Sequence, residues 1–185
     1  MTPRAYDTST WTYDEYARLP EDGDRYEIIR GEVCVTPGPS PRHQWVALRL
    51  LRTLSEYVER HGLGVVLNDV DLLFVSGEFL RPDMLFVPWD RLSGITTRGV
   101  ESAPDLVIEV LSPGSERIDR DKKPPRYAEL GVPAYWLVDP ANHAIEIFTP
   151  AEAAAPVIAK RRLEWQPDPD VSALSIDVPV LFERW

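Results

Sequence analysis

Residues 104–113 read Pro104-Asp105-Leu106-Val107-Ile108-Glu109-Val110-Leu111-Ser112-Pro113. The apolar run from Leu106 to Leu111 is broken once, by Glu109. Side chains alternate along a strand, so a run apolar on both faces describes a strand covered on both sides, the central strand of a layered sheet. An ionised carboxylate in such a strand is costly unless it is paired or binds a metal. Glu109 therefore points to chemistry. The competing reading, an edge strand whose polar face meets water, suits a run this apolar poorly.

Outward from this strand, Arg81 to Val87 reads as another, with Asp83 near its start directly after Pro82. Taken alone, that aspartate is equally well a turn residue. On the C-terminal side a helix is expected from Pro124 to Leu130, with Gly131 just past its end. Strands follow at Ala134–Val138 and Ala144–Phe148, separated by a turn over 139–143.

On the N-terminal side, Thr12 and Glu15 have capping-box spacing and Pro20 closes the first helix. Arg25–Ile29 and Glu32–Thr36 form a hairpin turning at Gly31. A second helix is bounded by Ser40 as cap, Pro41 at its first position and Gly62 beyond its end. Its buried stripe is Ala47, Leu50, Leu51, Leu54, Tyr57 and Val58. Val65–Val75 holds one or two strands broken near Asn68-Asp69, and 76–78 is a turn. Leu92–Ser102 reads as a mobile polar connector and 151–156 as a turn, before a strand at Arg161–Trp165 and a last segment ending at Leu181-Phe182. The order predicts an α/β (α+β) fold: a mixed central sheet flanked by helices, with an N-terminal helix and hairpin. One domain over 1–185 is expected, with its core at about 12–182.

Composition narrows the function classes. The chain has 185 residues, 44% hydrophobic and 27% charged, as in ordinary globular proteins. No stretch approaches the roughly 20 apolar residues of a membrane span, and no secretory leader is evident at the start. The single cysteine, Cys34, excludes an internal disulfide and a cysteine-rich zinc site, and makes a reducing, cytoplasmic setting the expectation. In its apolar run, Cys34 reads as a small buried hydrophobe. A net charge of −10 argues against a general nucleic-acid coat protein but leaves room for a metal-assisted phosphodiesterase. There is no P-loop, no dinucleotide fingerprint, no Gly-x-Ser-x-Gly elbow, and no paired-histidine zinc motif among His43, His61 and His143.

Other acids are weaker signals. Glu27, in Tyr26-Glu27-Ile28-Ile29, alone reads as the exposed side of a hairpin. Asp71 is a reserve candidate whose simpler reading is a solvent-facing strand position. The charge run 116–123 reads on composition as a solvated loop, although its basic members suit a phosphate backbone.

Four segments together resemble the Uma-type family of restriction endonucleases, long classed as a domain of unknown function. They are Arg25–Glu32, Arg81-Pro82-Asp83, Pro104–Pro113, and Asp119-Arg120 through Lys123, Tyr127, Gly131-Val132-Pro133 and Tyr135–Pro140. The resemblance runs from about Thr12 to Phe182. That family is similar to the PD-(D/E)XK nuclease superfamily, so the resemblance implies a restriction-endonuclease-like core with acids from adjacent strands around one or two divalent ions. Position by position, Asp83 is the aspartate after proline, Glu109 the strand acid and Glu27 the early glutamate. His43 matches a histidine near the start of the following helix, without an assigned role. The superfamily places a lysine two residues after the strand acid, where this chain has Leu111. In this family the lysine sits on the next helix, and Lys123 takes that place, directly ahead of Pro124 and Pro125.

The resemblance thus implies a Mg2+- or Mn2+-dependent endonuclease hydrolysing DNA. Asp83, Glu109 and Glu27 would hold the metal, and Lys123 would orient water or neutralise charge. A homodimer is expected by analogy. The rival expectations are a binding or scaffold protein that kept the fold without the activity, and a hydrolase of small phosphoesters.

Overall fold

The computed structural model describes residues 11–152 and 155–183, and counts of elements refer to these residues. In chain order the elements are α1 Tyr13–Tyr16, β1 Arg25–Ile29, β2 Glu32–Thr36, α2 Pro41–His61, β3 Gly64–Asn68, β4 Leu72–Phe74, β5 Glu78–Leu80 and β6 Met84–Pro88. After a 3-10 turn at Trp89–Gly94 come β7 Leu106–Val110, a π-turn at Ile118–Lys122, α3 Lys123–Glu129, β8 Ala134–Asp139 and β9 Ala144–Phe148. The described chain closes with β10 Val157–Ala159, β11 Arg162–Trp165, β12 Leu174–Asp177 and α4 Val178–Phe182.

Among the described residues the central sheet has six strands in the order β10-β9-β8-β7-β6-β3. β7 and β8 run parallel and every other neighbouring pair is antiparallel, so the sheet is mixed. All five residues of β7 are buried. On one face, Leu106, Ile108 and Val110 pack with Val46, Leu50 and Leu54 of α2 and with the C-terminal tail. On the other, Val107 packs with Tyr127 of α3 and with Ile29 and Cys34 of the N-terminal hairpin. The expected mixed α+β architecture and the doubly covered central strand are both present.

The N-terminal hairpin belongs to a second sheet, β2-β1-β5-β4. Arg30 and Gly31 both have positive φ, 51° and 75°, the two-residue turn that matches strand twist. The outer face of this sheet is sealed by Trp11, Tyr16, Ile28 and Phe79. The capping box between Thr12 and Glu15 is formed, although α1 is a single turn that ends well before Pro20.

Several expectations need correction. Arg81–Val87 is not one strand: β5 ends at Leu80, three residues intervene, and β6 starts at Met84. Pro82 has no N–H to give to a ladder, which suits it to that gap. Residues 92–102 are folded back on the core through bridges of Val100 to Leu72 and Ile95, and Val100 is buried. The α2 stripe includes Val46, with Ala47 and Leu51 only partly buried. β5, β10 and β12 are strands that the sequence does not mark, and Glu78, expected in a turn, opens β5. The turn expected over 151–156 includes residues 153 and 154, which lie outside the described residues.

The charge run is the largest departure. It is a π-turn leading into α3, in which Asp119 and Lys123 are buried. Pro124 and Pro125 have no N–H groups, so the first turn of α3, where such groups lack helical partners anyway, tolerates them. The Lys123 N–H closes the π-turn on Ile118 O.

Candidate functional site

The antiparallel register of β6 and β7 pairs Met84 with Ile108. One residue beyond that pair, Asp83 and Glu109 come together: the Asp83 N–H donates to Glu109 Oε2 at 3.3 Å, and the Val110 N–H donates to Asp83 Oδ2 at 2.8 Å. Arg25 and Glu27 project from one face of β1, two residues apart. Arg25 Nη1 donates to Asp83 Oδ1 at 2.8 Å. Glu27 Oε1 accepts from the Arg81 N–H at 2.9 Å. From α2, His43 Nε2 lies 2.9 Å from Asp83 Oδ2.

Lys123 closes the cluster from the start of α3. Its Nζ is 2.7 Å from Glu109 Oε1, 2.9 Å from Glu27 Oε2 and 3.0 Å from Asp119 Oδ1. Asp119, Lys123 and Tyr127 recur every four residues on one helical face. Glu27, Asp83, Glu109, Lys123, Asp119 and His43 are all buried. The structure thus gathers Glu27, Asp83, Glu109 and Lys123 in one place and adds Arg25, His43 and Asp119. Asp71 stands apart, accepting from Tyr16 Oη at 3.0 Å.

Glu27 is not on an exposed hairpin face, because the second sheet is covered on both sides. Arg25 and Asp119 were missed. Arg25 shares the strand face of Glu27, and Asp119 sits one helical turn before Lys123; those spacings were the available signals.

Electrostatics divide the acids. Burial alone would raise the Asp83 pKa, but the His43 hydrogen bond, the neighbouring Arg25 guanidinium and the Val110 N–H outweigh it and hold the carboxyl at about 2. Glu109 is pushed well above the usual carboxylate range by burial, which Lys123 opposes and the charges of Asp83, Asp119 and Glu27 reinforce. Burial would strip the proton from Lys123, yet Asp119, Glu109 and Glu27 around it hold its pKa well above the ordinary lysine value.

A cavity of about 20 Å³ lies between Asp83, Glu109, Lys123, Ser112 and Ser115, roughly the room of one water-sized particle. Pro37 and Pro39 close it from the loop before α2. Arg25 and Pro39 also line a larger cleft of about 480 Å³ on their other side.

A divalent ion can be tested against this donor set. Four carboxylates, Glu27, Asp83, Glu109 and Asp119, face two permanent cations, Arg25 and Lys123, so four minus two leaves two negative charges uncompensated when all are ionised. All-oxygen ligands suit Mg2+ or Mn2+, and Mg2+ characteristically uses one or two carboxylates and keeps several waters. Among the described residues no three His, Cys, Asp or Glu side chains already converge as a metal cage. The fit is that of a two-carboxylate site at Asp83 and Glu109, in which protein cations now occupy carboxylate oxygens.

Among the described residues no helix is long and apolar enough to cross a membrane. The fold is similar to that in a crystal structure of a "putative nuclease belonging to DUF820" from Anabaena variabilis, with a TM-score of 0.73 and 20% sequence identity over 91% of this chain and 96% of that chain. At that identity the likeness is one of fold. No curated protein matches the chain. The family model for Uma2, described as "Putative restriction endonuclease", matches residues 13–179. On that match, which spans every described strand and the whole acidic cluster, the chain belongs to the Uma2 family.

Proposed function

We propose that the protein is a divalent-metal-dependent nuclease that hydrolyses DNA phosphodiester bonds at the Asp83–Glu109 site. The observation that carries this reading is the meeting of Asp83 and Glu109 at the β6–β7 ladder, with Lys123 on Glu109. Membership of the Uma2 family supports it.

Asp83 and Glu109 would hold the ion, which when bound would lower the pKa of a water and polarise the phosphate. His43 and Arg25 fix the Asp83 carboxylate from opposite oxygens. Glu27 and Asp119 hold Lys123 as an ammonium. A lysine whose pKa is raised stays charged, so its role is to offset charge on the phosphate rather than to take a proton from water. Arg25, on the wall shared with the larger cleft, is placed to meet a second phosphate oxygen or a neighbouring phosphate.

The test is cleavage of supercoiled, linear and single-stranded DNA with Mg2+ or Mn2+, using wild type and the Asp83→Ala/Glu109→Ala double variant. Wild type is expected to cut and the double variant to lose both cutting and calorimetric metal binding. Metal binding retained by the double variant would overturn the site assignment. Metal bound without cleavage of any DNA would overturn the nuclease reading. The small cavity and the net charge of −10 favour, as second reading, a small phosphoester substrate. Hydrolysis of a nitrophenyl phosphate diester without DNA cleavage would select it.

A further inference from the structure

Lys123 is 2% exposed, and its ammonium meets three carboxylates, Glu109, Glu27 and Asp119, within 2.7 to 3.0 Å. An ammonium has three hydrogens to donate, so its hydrogen-bonding capacity is filled. One of the three oxygens belongs to Glu109, an acid assigned above to the metal. A divalent ion and an ammonium at one carboxylate repel each other at short range, and in a buried site water screens that repulsion weakly. Metal and Lys123 therefore compete for Glu109.

We propose that Lys123 is the built-in counter-cation of Glu109, exchanged for the divalent ion when metal binds, and that Asp119 is the positioning residue that retains Lys123 when it releases Glu109. This inference rests on the metal-site reading above. A buried lysine that lost its only partner would be left as an uncompensated buried charge. Here, letting go of Glu109 leaves two carboxylates in place. Glu27, on β1, is held by the Arg81 N–H. Asp119 lies one turn before Lys123 on the same helical segment, so the pair can shift together. Both Lys123 and Asp119 line the small cavity, so the hydrogen freed from Glu109 stays beside the space between the acids. The Lys123 hydrogen released from Glu109 would then be free to donate to a phosphate oxygen. Glu27 and Asp119 serve the lysine, while Asp83 and Glu109 serve the metal.

The experiment titrates MgCl2 and MnCl2 into the full chain without DNA, read by calorimetry and by the metal-induced rise in Tm. Lys123→Gln is expected to bind metal at least about tenfold more tightly than wild type, because the competitor is gone. Its metal-free Tm falls, since three carboxylates lose their shared partner, and its Tm rise on adding metal exceeds that of wild type. Asp119→Asn is expected to bind about tenfold more weakly, because Lys123 then depends on Glu109 and gives it up reluctantly. Asp119→Glu restores binding. A merely structural role would weaken binding in both the lysine and the aspartate variants. Equal or weaker metal binding by Lys123→Gln overturns the exchange, and unchanged binding by Asp119→Asn overturns the part given to Asp119. If Lys123→Gln does not fold, Lys123→Met is the second variant, and the Asp119→Asn arm decides if neither folds. No metal binding in wild type or in either lysine variant overturns the metal-site reading and the exchange together. Metal exchange as described without DNA cleavage removes the nuclease reading alone.

Discussion

His43 Nε2 lies 2.9 Å from Asp83 Oδ2, tying the first turn of α2 to the residue that precedes β6. An ionised carboxylate only accepts hydrogen bonds, so this ring nitrogen carries the proton. His43 Nδ1 is buried and has no partner among the described residues. With Arg25 on the other oxygen, the Asp83 carboxylate is fixed from two sides before any ligand arrives.

That fixation predicts an acid dependence. The folded-state pKa of Asp83, about 2, is below its ordinary value of 3.8, so the stability it contributes is full above about pH 4 and is lost as pH falls through 2. A shift of this size corresponds to about 2 kcal/mol. The stability difference between wild type and Asp83→Asn is therefore expected to shrink between pH 4 and pH 2, as measured by urea unfolding. A difference that holds constant over that window would contradict the assignment.

Glu109 behaves in the opposite sense. Its folded pKa is raised, so its contribution favours the folded state below the ordinary value of 4.5 and is lost as pH rises through the folded value. Glu109→Gln mimics the protonated acid. At neutral pH and without metal it is expected to match or exceed wild type in Tm, while losing the metal-induced rise. A large loss of Tm in the metal-free variant would show that the ionised carboxylate is what the fold needs.

Access to the acids depends on two loops in contact. A Cβ added at Gly114 would lie 2.6 Å from Pro37 Cδ and 2.7 Å from Pro37 Cγ, closer than side chains tolerate. Gly114→Ala is expected to push the loop at 37–39 off the Ser112–Ser115 turn and open the cavity. The readout is a KM changed by severalfold with little change in Tm. An unchanged KM would show that the loops do not govern entry.

A control separates stability from chemistry. Glu78 is 2% exposed, is bonded through both carboxylate oxygens by Arg126 of α3, and accepts from the Arg30 N–H at 3.0 Å. Glu78→Ala leaves the half-buried Arg126 guanidinium without its main partner and removes a buried acid, and is expected to cost roughly 3 kcal/mol. Metal affinity should not change, because Glu78 does not belong to the cluster around Lys123. Chemical unfolding and calorimetry on the same sample check both halves.

Features that depend on neighbours along the chain are legible in the residue order alone. The caps of α2 at Ser40, Pro41 and Gly62, the hairpin at Arg30-Gly31 and the doubly apolar β7 are local signals, and each is present in the fold. Glu109 stood out for the same reason, as an acid inside an apolar run. Which charges are buried together is set by how the layers pack. Glu27 looked exposed because nothing nearby in sequence shows that a second sheet lies over the first. Asp119 and Lys123 looked solvated because a run of charges has no apolar periodicity to mark its inner face. Arg25 and Asp83 are 58 residues apart, and His43 and Asp83 are 40 apart. Such pairs are set by sheet register and by the packing of layers, and a buried charge is legible only once its partners have been brought to it.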